Sequence, residues 1–331
     1  MNDRRKALKT LAYCSVGAML PLVGGNAAAQ AAFPTKTVRI ITPFPAGSGP
    51  DAALRLVADR LSRKWNQPVV IDNKPGGNGF IAVSAFKQGS SDGHDLIQLD
   101  SNHITTHPHT FSKLPYDPQR DFVPLRMLLR TPFFVAVGAR SPYKSLDDII
   151  ASAKLKPGGI SYGSWFNGSP GHIGALRLQG LKGLQMLHVP FRDFGQLYTA
   201  VANGEVDWAL ASVASGGQLE VGGRLRFIVL AASKRDPLYP AVPATAEIPS
   251  LQGYEVSAWA GLFAPATINA TLRDRISADV AEAIATPDVS ERYKVLGYEA
   301  PPLNPQEFAE LIRQETRGWS ETIRTSGLRL D

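Results

Sequence analysis

Short apolar strands alternate with helical segments along this chain, and this alternation constrains the fold more than any other feature. A β-rich run at residues 37–42 ends in a loop containing proline and glycine, and a helical pattern begins at Asp51. The rhythm is typical of an α/β fold in which mainly parallel sheets carry helices on their faces. Further strands are predicted at 68–72, 96–100, 132–137, 160–163, 186–190 and 225–230, and further helices at 81–87, 145–153, 172–181, 269–285 and from Asn304 onward.

The first residues of the chain have the pattern of a secretory signal peptide. Four basic residues within positions 4–9 precede a short apolar run at 11–25, and A-x-A cleavage positions end at Ala29 or Ala31. The apolar run is too short for a membrane anchor and is interrupted by proline and glycine. We therefore expect residues 1–31 to be a signal peptide for export to the periplasm. The paired arginines leave the twin-arginine route open beside the general secretory route.

Most of the excess positive charge belongs to this N-terminal segment. Residues 1–29 hold four basic residues, one acidic residue and the single cysteine, so the net charge falls from +6 to +3 when they are removed. Without cysteine, the remainder cannot form disulfides or a cysteine-rich zinc or iron–sulfur site. No cluster of Lys and Arg typical of nucleic-acid binding remains. We expect neither nucleic-acid binding nor a cofactor.

Two loops about 120 residues apart share one design. Residues 44–49 and 164–169 each follow a predicted strand, contain glycine and open a helix. Glycine lets backbone N–H groups converge, and the first-turn amides of a helix lack partners, so such loops can bind an anion. Two or three charge-assisted hydrogen bonds of about 1.5–3 kcal/mol each can offset the cost of several kcal/mol of desolvating a carboxylate. Neither loop fits a nucleotide motif, and two ordinary strand–helix turns are the alternative interpretation.

A series of short motifs runs through the chain in a fixed order. The first spans residues 33–41 and continues as P-F-P-A-G at 43–47. The others lie at 72–79, 114–118, 188–191, 204–207, 234–237, and at Trp259 with 261–265. Each motif alone is weak, but their ordered set resembles the solute receptors of tripartite tricarboxylate transporters, the Bug family, over essentially the whole mature chain.

The resemblance implies a periplasmic binding protein of the two-lobe, type II-like fold, and no enzyme. Lobe one would comprise residues 32–131 and 259–331, and lobe two residues 132–258, with a hinge where the chain crosses between them. A small organic carboxylate, aromatic or dicarboxylic, would bind between the lobes. The loaded receptor, expected to be a monomer, would deliver it to the membrane permease subunits of the transporter.

The resemblance also indicates which residues contact the ligand. Backbone groups of the first loop would hold one carboxylate, here at Phe44, Pro45, Ala46 and Gly47. The other expected contacts are Ser101, His103, Ser164, Trp165, Asn167, Gly168, Ser169, His172, Arg192, Asp193 and Ser212.

Part of the expected pocket departs from the common family pattern. Arg192-Asp193-Phe194 stands where many members carry Lys-Gly, Trp165-Phe166 replaces small residues, and Leu210-Ala211-Ser212 replaces Phe-Asp-Asn. One hypothesis is a remodelled pocket with an aromatic wall, in which Arg192 binds a second carboxylate. Asp193 would then disfavour a simple dicarboxylate and suit a ligand with a donor group. The alternative is that the two aromatic residues pack on a helix and that Arg192 and Asp193 form a solvated pair.

The histidines suggest two other kinds of site. His103, His107 and His109 have the spacing of a metal cluster, but Pro108 is expected to break the helix that would align them, and no carboxylate stands at a matching offset. We expect no metal site. A secreted hydrolase using Ser164 and His172 is an alternative function, although the sequence around Ser164 is not G-x-S-x-G. A sensor-type receptor that presents its ligand-bound form to a signalling partner would have the same cleft.

Overall fold

Two five-stranded sheets organise residues 33–331, the part of the chain that the computed structural model describes. The predicted signal peptide and its cleavage site lie outside these residues. In chain order, the strands are β1 (Val38–Thr42), β2 (Val69–Asn73), β3 (Asp95–Asp100), β4 (Phe122–Pro132), β5 (Phe134–Gly138), β6 (Ser161–Ser164), β7 (Leu187–Pro190), β8 (Trp208–Ala211), β9 (Leu225–Leu230) and β10 (Ser257–Pro265).

Helices connect these strands and cover the sheets. They are α1 (Gly49–Trp65), α2 (Phe80–Lys87), α3 (His107–Thr110), α4 (Pro118–Asp121), α5 (Leu146–Leu155), α6 (Pro170–Lys182), α7 (Phe194–Asn203), α8 (Val213–Val221), α9 (Ala270–Ala285), α10 (Pro287–Val295) and α11 (Pro305–Ser326). A π-helical turn at Asn102–Thr106 precedes α3. Within residues 33–331, none of the helices has the length and apolar character needed to span a bilayer.

Both sheets have the same strand order. The first sheet runs β2-β1-β3-β10-β4 and the second β7-β6-β8-β5-β9. In each, the first three strands are parallel, and a strand from another part of the chain lies antiparallel beside the third. The predicted α/β architecture of two helix-flanked sheets is confirmed. Because parallel strands end at one edge, the loops after β1 and β3 are neighbours, as are those after β6, β7 and β8.

Capping residues fix the helix starts that the sequence predicts. The Ser145 hydroxyl accepts a hydrogen bond from the Asp148 amide at 3.2 Å at the start of α5. The Asn304 side chain accepts one from the Glu307 amide at 2.9 Å at the start of α11. Both hydrogen bonds provide an acceptor for a first-turn amide that would otherwise have no partner.

The chain crosses between the sheets at two adjacent points. It passes from β4 to β5 through Phe133 and returns to β10 through Val256, and the Phe133 amide donates a hydrogen bond to the Val256 carbonyl at 3.2 Å. Pro132 and Ser257 are aligned in the β4–β10 pair. The two predicted hinge segments are therefore neighbours. The lobe boundaries at 131/132 and 258/259 stay a prediction.

Helix α11 also connects the two sheets. It packs against β4 of the first sheet and against α6, which covers the second. The guanidinium carbon of Arg177 on α6 lies 5.3 Å from the ring centroid of Trp319 on α11, within cation–π range. The sheets are thus joined by a packed helix pair in addition to the two crossings.

Candidate ligand-binding cleft

The first predicted loop lies between the carboxyl end of β1 and the start of α1. The Ser48 amide donates to the Pro45 carbonyl at 3.2 Å, which closes a turn. Gly47, within this turn, has φ of 82°, a conformation that favours glycine. The side-chain amide of Asn73, at the end of β2, donates to the Phe44 carbonyl at 2.9 Å. Neighbouring parallel strands therefore hold the loop in place.

A buried carboxylate already occupies part of this loop. Asp51 accepts hydrogen bonds from the Gly47 amide at 2.8 Å, from Asn73 Nδ2 at 2.7 Å and from Arg55 Nε at 2.9 Å. Burial alone would raise the pKa of Asp51, but these hydrogen bonds and the Arg55 charge outweigh it and lower the pKa. The Gly47 amide therefore already has a partner within the protein, and its contact with ligand stays a prediction. The Ala46 amide has no hydrogen-bond partner within residues 33–331.

Some backbone amides of the second loop also donate hydrogen bonds to groups of the same segment. It connects β6 to α6, whose N-cap Ser169 accepts a hydrogen bond from the His172 amide at 3.3 Å. The Gly168 amide donates to His172 Nδ1 at 3.0 Å, and the Ser169 amide donates to the Phe166 carbonyl at 3.2 Å. The expected anion contacts through these two amides are not available here. The Asn167 amide has no partner within residues 33–331.

Two contacts between the sheets bring these loops to one cleft. The residues after β3 lie beside the first loop, and from them Asn102 Nδ2 donates to the Gly168 carbonyl of the second loop at 3.3 Å. The second contact is between Gly297, in the segment after α10, and Val213 at the start of α8. It is so close that a methyl group on Gly297 would lie 2.6 Å from the Val213 side chain. The neighbouring Tyr298 packs closely on Gly49 at the start of α1. The starts of α1, α6 and α8 thus lie along the same boundary.

Ser101 and His103 lie at the carboxyl end of β3 and are both buried. The Ser101 hydroxyl forms no hydrogen bond within the described chain, whereas the His103 ring is bound to the Asp100 carboxylate through Nδ1. Burial would raise the pKa of Asp100, but the charge and hydrogen bonds of His103 lower it below its usual value. Gly79 packs so closely on the His103 ring that a side chain there would overlap it. Ser101 is consequently the freer of the two groups.

The expectation that Pro108 separates the neighbouring histidines is wrong. The ring centroids of His103 and His107 lie 5.0 Å apart. Pro108 stands in the first turn of α3, where proline needs no amide partner, so the chain turns without a break. Asp100 binds the His103 ring through Nδ1, so this carboxylate pairs with one histidine. Within residues 33–331, no three His, Cys, Asp or Glu side chains are grouped to hold a metal ion.

The three aromatic residues of the expected pocket differ in exposure. Trp165 is 8% exposed, with its ring 5.6 Å from that of Phe133 and 5.1 Å from that of Phe194, and it covers Gly171 at the start of α6. Trp165 thus packs on a helix, as the alternative interpretation states. Phe166 and Phe194 are 50% and 42% exposed and provide apolar surface.

Polar residues at the ends of β7 and β8 mainly cap helices. Asp193 accepts a hydrogen bond from the Gln196 amide at 2.9 Å as the N-cap of α7. Ser212 accepts one from the Ser215 amide at 3.2 Å as the N-cap of α8. Arg192 is exposed and has no ion-pair partner within the described residues. The predicted Arg192–Asp193 pair is therefore not formed.

One residue that contacts this loop escaped prediction. His188 Nε2 lies 2.7 Å from the Ser164 hydroxyl, so Ser164 contacts His188 and not His172, the partner that the hydrolase alternative requires. The rings of His172 and His188 stack with centroids 3.7 Å apart. Burial lowers the pKa of His188 to about 4, and burial together with the His188 charge lowers that of His172 to about 3. The parallel pairing of β6 and β7 places it there by aligning His188 with Tyr162, and no sequence motif indicated this register.

A separate groove lies away from these residues. It has a volume of about 1110 Å³ and opens between α11 and residues 108–122. None of the predicted contact residues lines it. The sites to consider for a carboxylate are therefore the loops at the boundary between the sheets.

Comparisons with known proteins bear on this arrangement. The model of the tripartite tricarboxylate transporter family receptor, TctC, matches residues 53–328. A UPF0065 protein from the tcbD-tcbE intergenic region of Pseudomonas sp. (strain P51) is 32% identical over 292 residues, covering 88% of this chain and 87% of the relative.

Two solved structures share the fold. R. palustris Rpa4515, with adipate, superposes with a TM-score of 0.78 at 26% identity and covers 90% of this chain and 99% of its own. MatC (Rpa3494) from Rhodopseudomonas palustris, with bound malate, superposes with a TM-score of 0.75 at 28% identity. The match covers 88% of this chain and 100% of the MatC chain. The family expected from the sequence motifs is confirmed.

Proposed function

Because this chain belongs to the family of tripartite tricarboxylate transporter receptors, we propose that it captures a small organic carboxylate between its two sheets and delivers it to a membrane permease. Receptors of this family are periplasmic solute-binding proteins, and they are not enzymes. The proposal includes export through the N-terminal segment and function as a monomer. Binding would shift the population from an open to a closed arrangement of the sheets.

The contact between Asn102 and Gly168 carries the proposal for the site. It brings the segment after β3 to the loop after β6 at 3.3 Å. Within residues 33–331, the donors of these segments that have no hydrogen-bond partner include the Ala46 amide, the Asn167 amide and the Ser101 hydroxyl. The positive ends of α1 and α6 add a field that favours an anion.

Three donors are enough to bind a carboxylate. Charge-assisted hydrogen bonds contribute about 1.5–3 kcal/mol each, against a desolvation cost of several kcal/mol. With only the two amides, the balance would be marginal, so we assign the Ser101 hydroxyl a necessary part. This set replaces the one expected from the sequence, because Gly47 and Gly168 donate to the protein's own side chains.

The ligand we propose has a second polar end. The two similar structures carry adipate and malate, which are both dicarboxylates. The exposed Arg192 has no ion-pair partner within residues 33–331, so its guanidinium can bind a second carboxylate in bidentate fashion. The exposed faces of Phe166 and Phe194 suit an apolar or aromatic middle section.

Thermal-shift and calorimetric measurements test this function. Adipate, malate and an aromatic dicarboxylate would be compared with their dimethyl esters, which keep the carbon chain and lack the charge. A ligand at 100 times its dissociation constant stabilises the folded state by about 2.7 kcal/mol, so the melting temperature rises. We expect a shift with at least one acid and none with its ester. If every acid and ester leaves melting unchanged, the carboxylate proposal is wrong.

The Ser101→Ala variant tests the site within the same experiment. Removing this hydroxyl donor is expected to lower the affinity for the bound acid about tenfold, because a hydrogen bond to a charged group is lost. Ser152→Ala, on α5, provides the matched control. Equal affinity of the Ser101→Ala variant and the control would exclude Ser101 from the site.

A further inference from the structure

Two stacked histidines hold the two ends of the second loop. His188 Nε2 lies 2.7 Å from the hydroxyl of Ser164, the first residue of the loop. His172 Nδ1 lies 3.0 Å from the amide of Gly168, near its last residue. Between the two rings, the centroid distance is 3.7 Å and the interplanar angle is 12°. One rigid unit thus contacts the loop on both sides of Asn167.

We propose that His188 and His172 are positioning residues that keep the loop in its ligand-binding conformation. The inference rests on the proposed function, since the loop then presents the free Asn167 amide to the carboxylate. Neither ring needs to touch the ligand for this role. Their hydrogen bonds instead fix the backbone to which the binding amide belongs.

The hydrogen-bond pattern assigns the same tautomer to both rings. Ser164 has a single hydroxyl proton, which it donates to the Phe166 carbonyl at 3.0 Å, so His188 Nε2 carries a proton and donates to the Ser164 oxygen. The Gly168 amide can only donate, so His172 Nδ1 is an acceptor and the ring proton lies on Nε2. Both imidazoles are therefore neutral and protonated on Nε2.

Packing leaves the two rings little freedom. Tyr162 is almost fully buried, and its ring stacks on that of His188 with a centroid distance of 5.0 Å and an angle of 23°. The alignment of Tyr162 with His188 in the parallel β6–β7 pair fixes this contact. His172 is held from the other side because its own amide donates to the Ser169 hydroxyl in the first turn of α6. An imidazole so confined can hold a loop accurately.

Two substitutions at each histidine distinguish the effect of its hydrogen bond from the effect of its ring packing. His188→Phe and His172→Phe keep a stacked ring and remove the polar atom. His188→Gln places an amide group near the Nε2 position, and His172→Asn places an oxygen near the Nδ1 position. The measurements are hydrogen exchange of the backbone amides of residues 166–169 and calorimetry with adipate and malate. Leu155→Ala, at the exposed end of α5, is the control.

We expect faster exchange in both Phe variants and an affinity about tenfold weaker, as for the loss of one hydrogen bond, with recovery in the Gln and Asn variants. If the Phe variants match the wild type in both measurements, or if Gln and Asn restore nothing, the proposal is wrong. Should the wild type bind neither these acids nor the aromatic dicarboxylate, the proposed function fails, while the exchange rates still decide whether the histidines hold the loop.

A spectroscopic measurement on the wild type covers the case in which the Phe variants do not fold. Nitrogen NMR of the imidazoles distinguishes the two neutral tautomers directly. We expect both rings to be protonated on Nε2 at neutral pH. A proton on Nδ1 of His172, or a charged ring, would overturn the proposal, because the Gly168 amide would then have no acceptor.

Discussion

The side-chain amide of Asn102 donates a hydrogen bond to the carbonyl oxygen of Gly168, and this bond joins the end of β3 in one sheet to the loop after β6 in the other. The donor and acceptor are buried and lie 3.3 Å apart. The arrangement that closes the cleft is therefore stabilised partly by a contact between the two loops that border it.

Replacing Asn102 by alanine is expected to weaken ligand binding. The closed form loses one neutral hydrogen bond of about 1 kcal/mol, which corresponds to about a fivefold rise in the dissociation constant of the bound acid. Calorimetry measures this change, with the exposed Asn203→Ala as a control of the same type. An unchanged affinity in the Asn102 variant would mean that this bond does not contribute to closure.

Substitution of Gly168 should affect both stability and binding. Its φ is 79°, and a methyl group there would lie 2.6 Å from the Leu330 side chain near the C-terminus. Gly204 has φ of 78° with open space around it, so Gly204→Ala has the same backbone strain without the overlap. Both alanine variants should lose about 1–2 kcal/mol in denaturant unfolding. Only Gly168→Ala should also bind the ligand more weakly, and equal binding in both would contradict this.

Arg192→Ala tests whether the far end of the ligand is charged. Since Arg192 is exposed and unpaired within the described residues, it can bind a second carboxylate at little cost to the fold. Adipate should then bind about tenfold more weakly to the variant, whereas hexanoate, which has the same chain and one carboxylate, should bind equally to both proteins. The same loss for hexanoate and adipate would show that Arg192 does not recognise the second carboxylate.

The stability of the protein should depend on the ionisation of Glu315. Trp259 Nε1 donates to Glu315 Oε2 at 2.7 Å. Burial raises the pKa of Glu315, and neither this bond nor the charges of Arg130 and Arg177 fully offset that effect. The folded state therefore binds the proton more tightly than the unfolded state, where the pKa is about 4.3. The contribution of Glu315 to the free energy of unfolding is therefore fully present at pH values below the unfolded-state pKa. It declines as pH rises through the folded-state pKa.

Melting curves at several pH values between 4 and 8 test this dependence. Glu315→Gln keeps an acceptor for Trp259 and removes the titration, so its melting temperature should fall less than that of the wild type as pH rises. Glu310→Gln, at an exposed position paired with Arg313, is the control and should follow the wild type. Identical slopes for all three proteins would contradict the raised pKa of Glu315.

Most strands of this fold could be predicted from the sequence, but β4, β8 and β10 could not. Strand β10 has small residues on a buried surface, and Gly261 packs against the ring of Phe308 with no room for a side chain. Such a strand lacks the alternation of apolar and polar residues by which a half-buried strand is recognised in a sequence. Strand β4 contains Pro124, Arg126 and Arg130, a composition that is tolerated because it lies at the edge of its sheet.

The two strand–glycine–helix loops were predictable, but the availability of their donors was not. The loops at 44–49 and 164–169 follow from the pattern of strand, glycine and helix. That Asp51 would bind the Gly47 amide depends on a side-chain rotamer and on Asn73 from the next strand. The role of His188 depends on the register between β6 and β7, which short strands do not reveal in their sequence.

The pairing of Phe133 with Val256 has a mechanical consequence. Since both polypeptide connections belong to one continuous β ribbon, neither can twist without carrying the other along. We therefore expect the two halves to swing about a common axis, because sideways sliding would require breaking the ribbon. The proposed opening and closing would then follow a single path set by the backbone, whichever solute is carried.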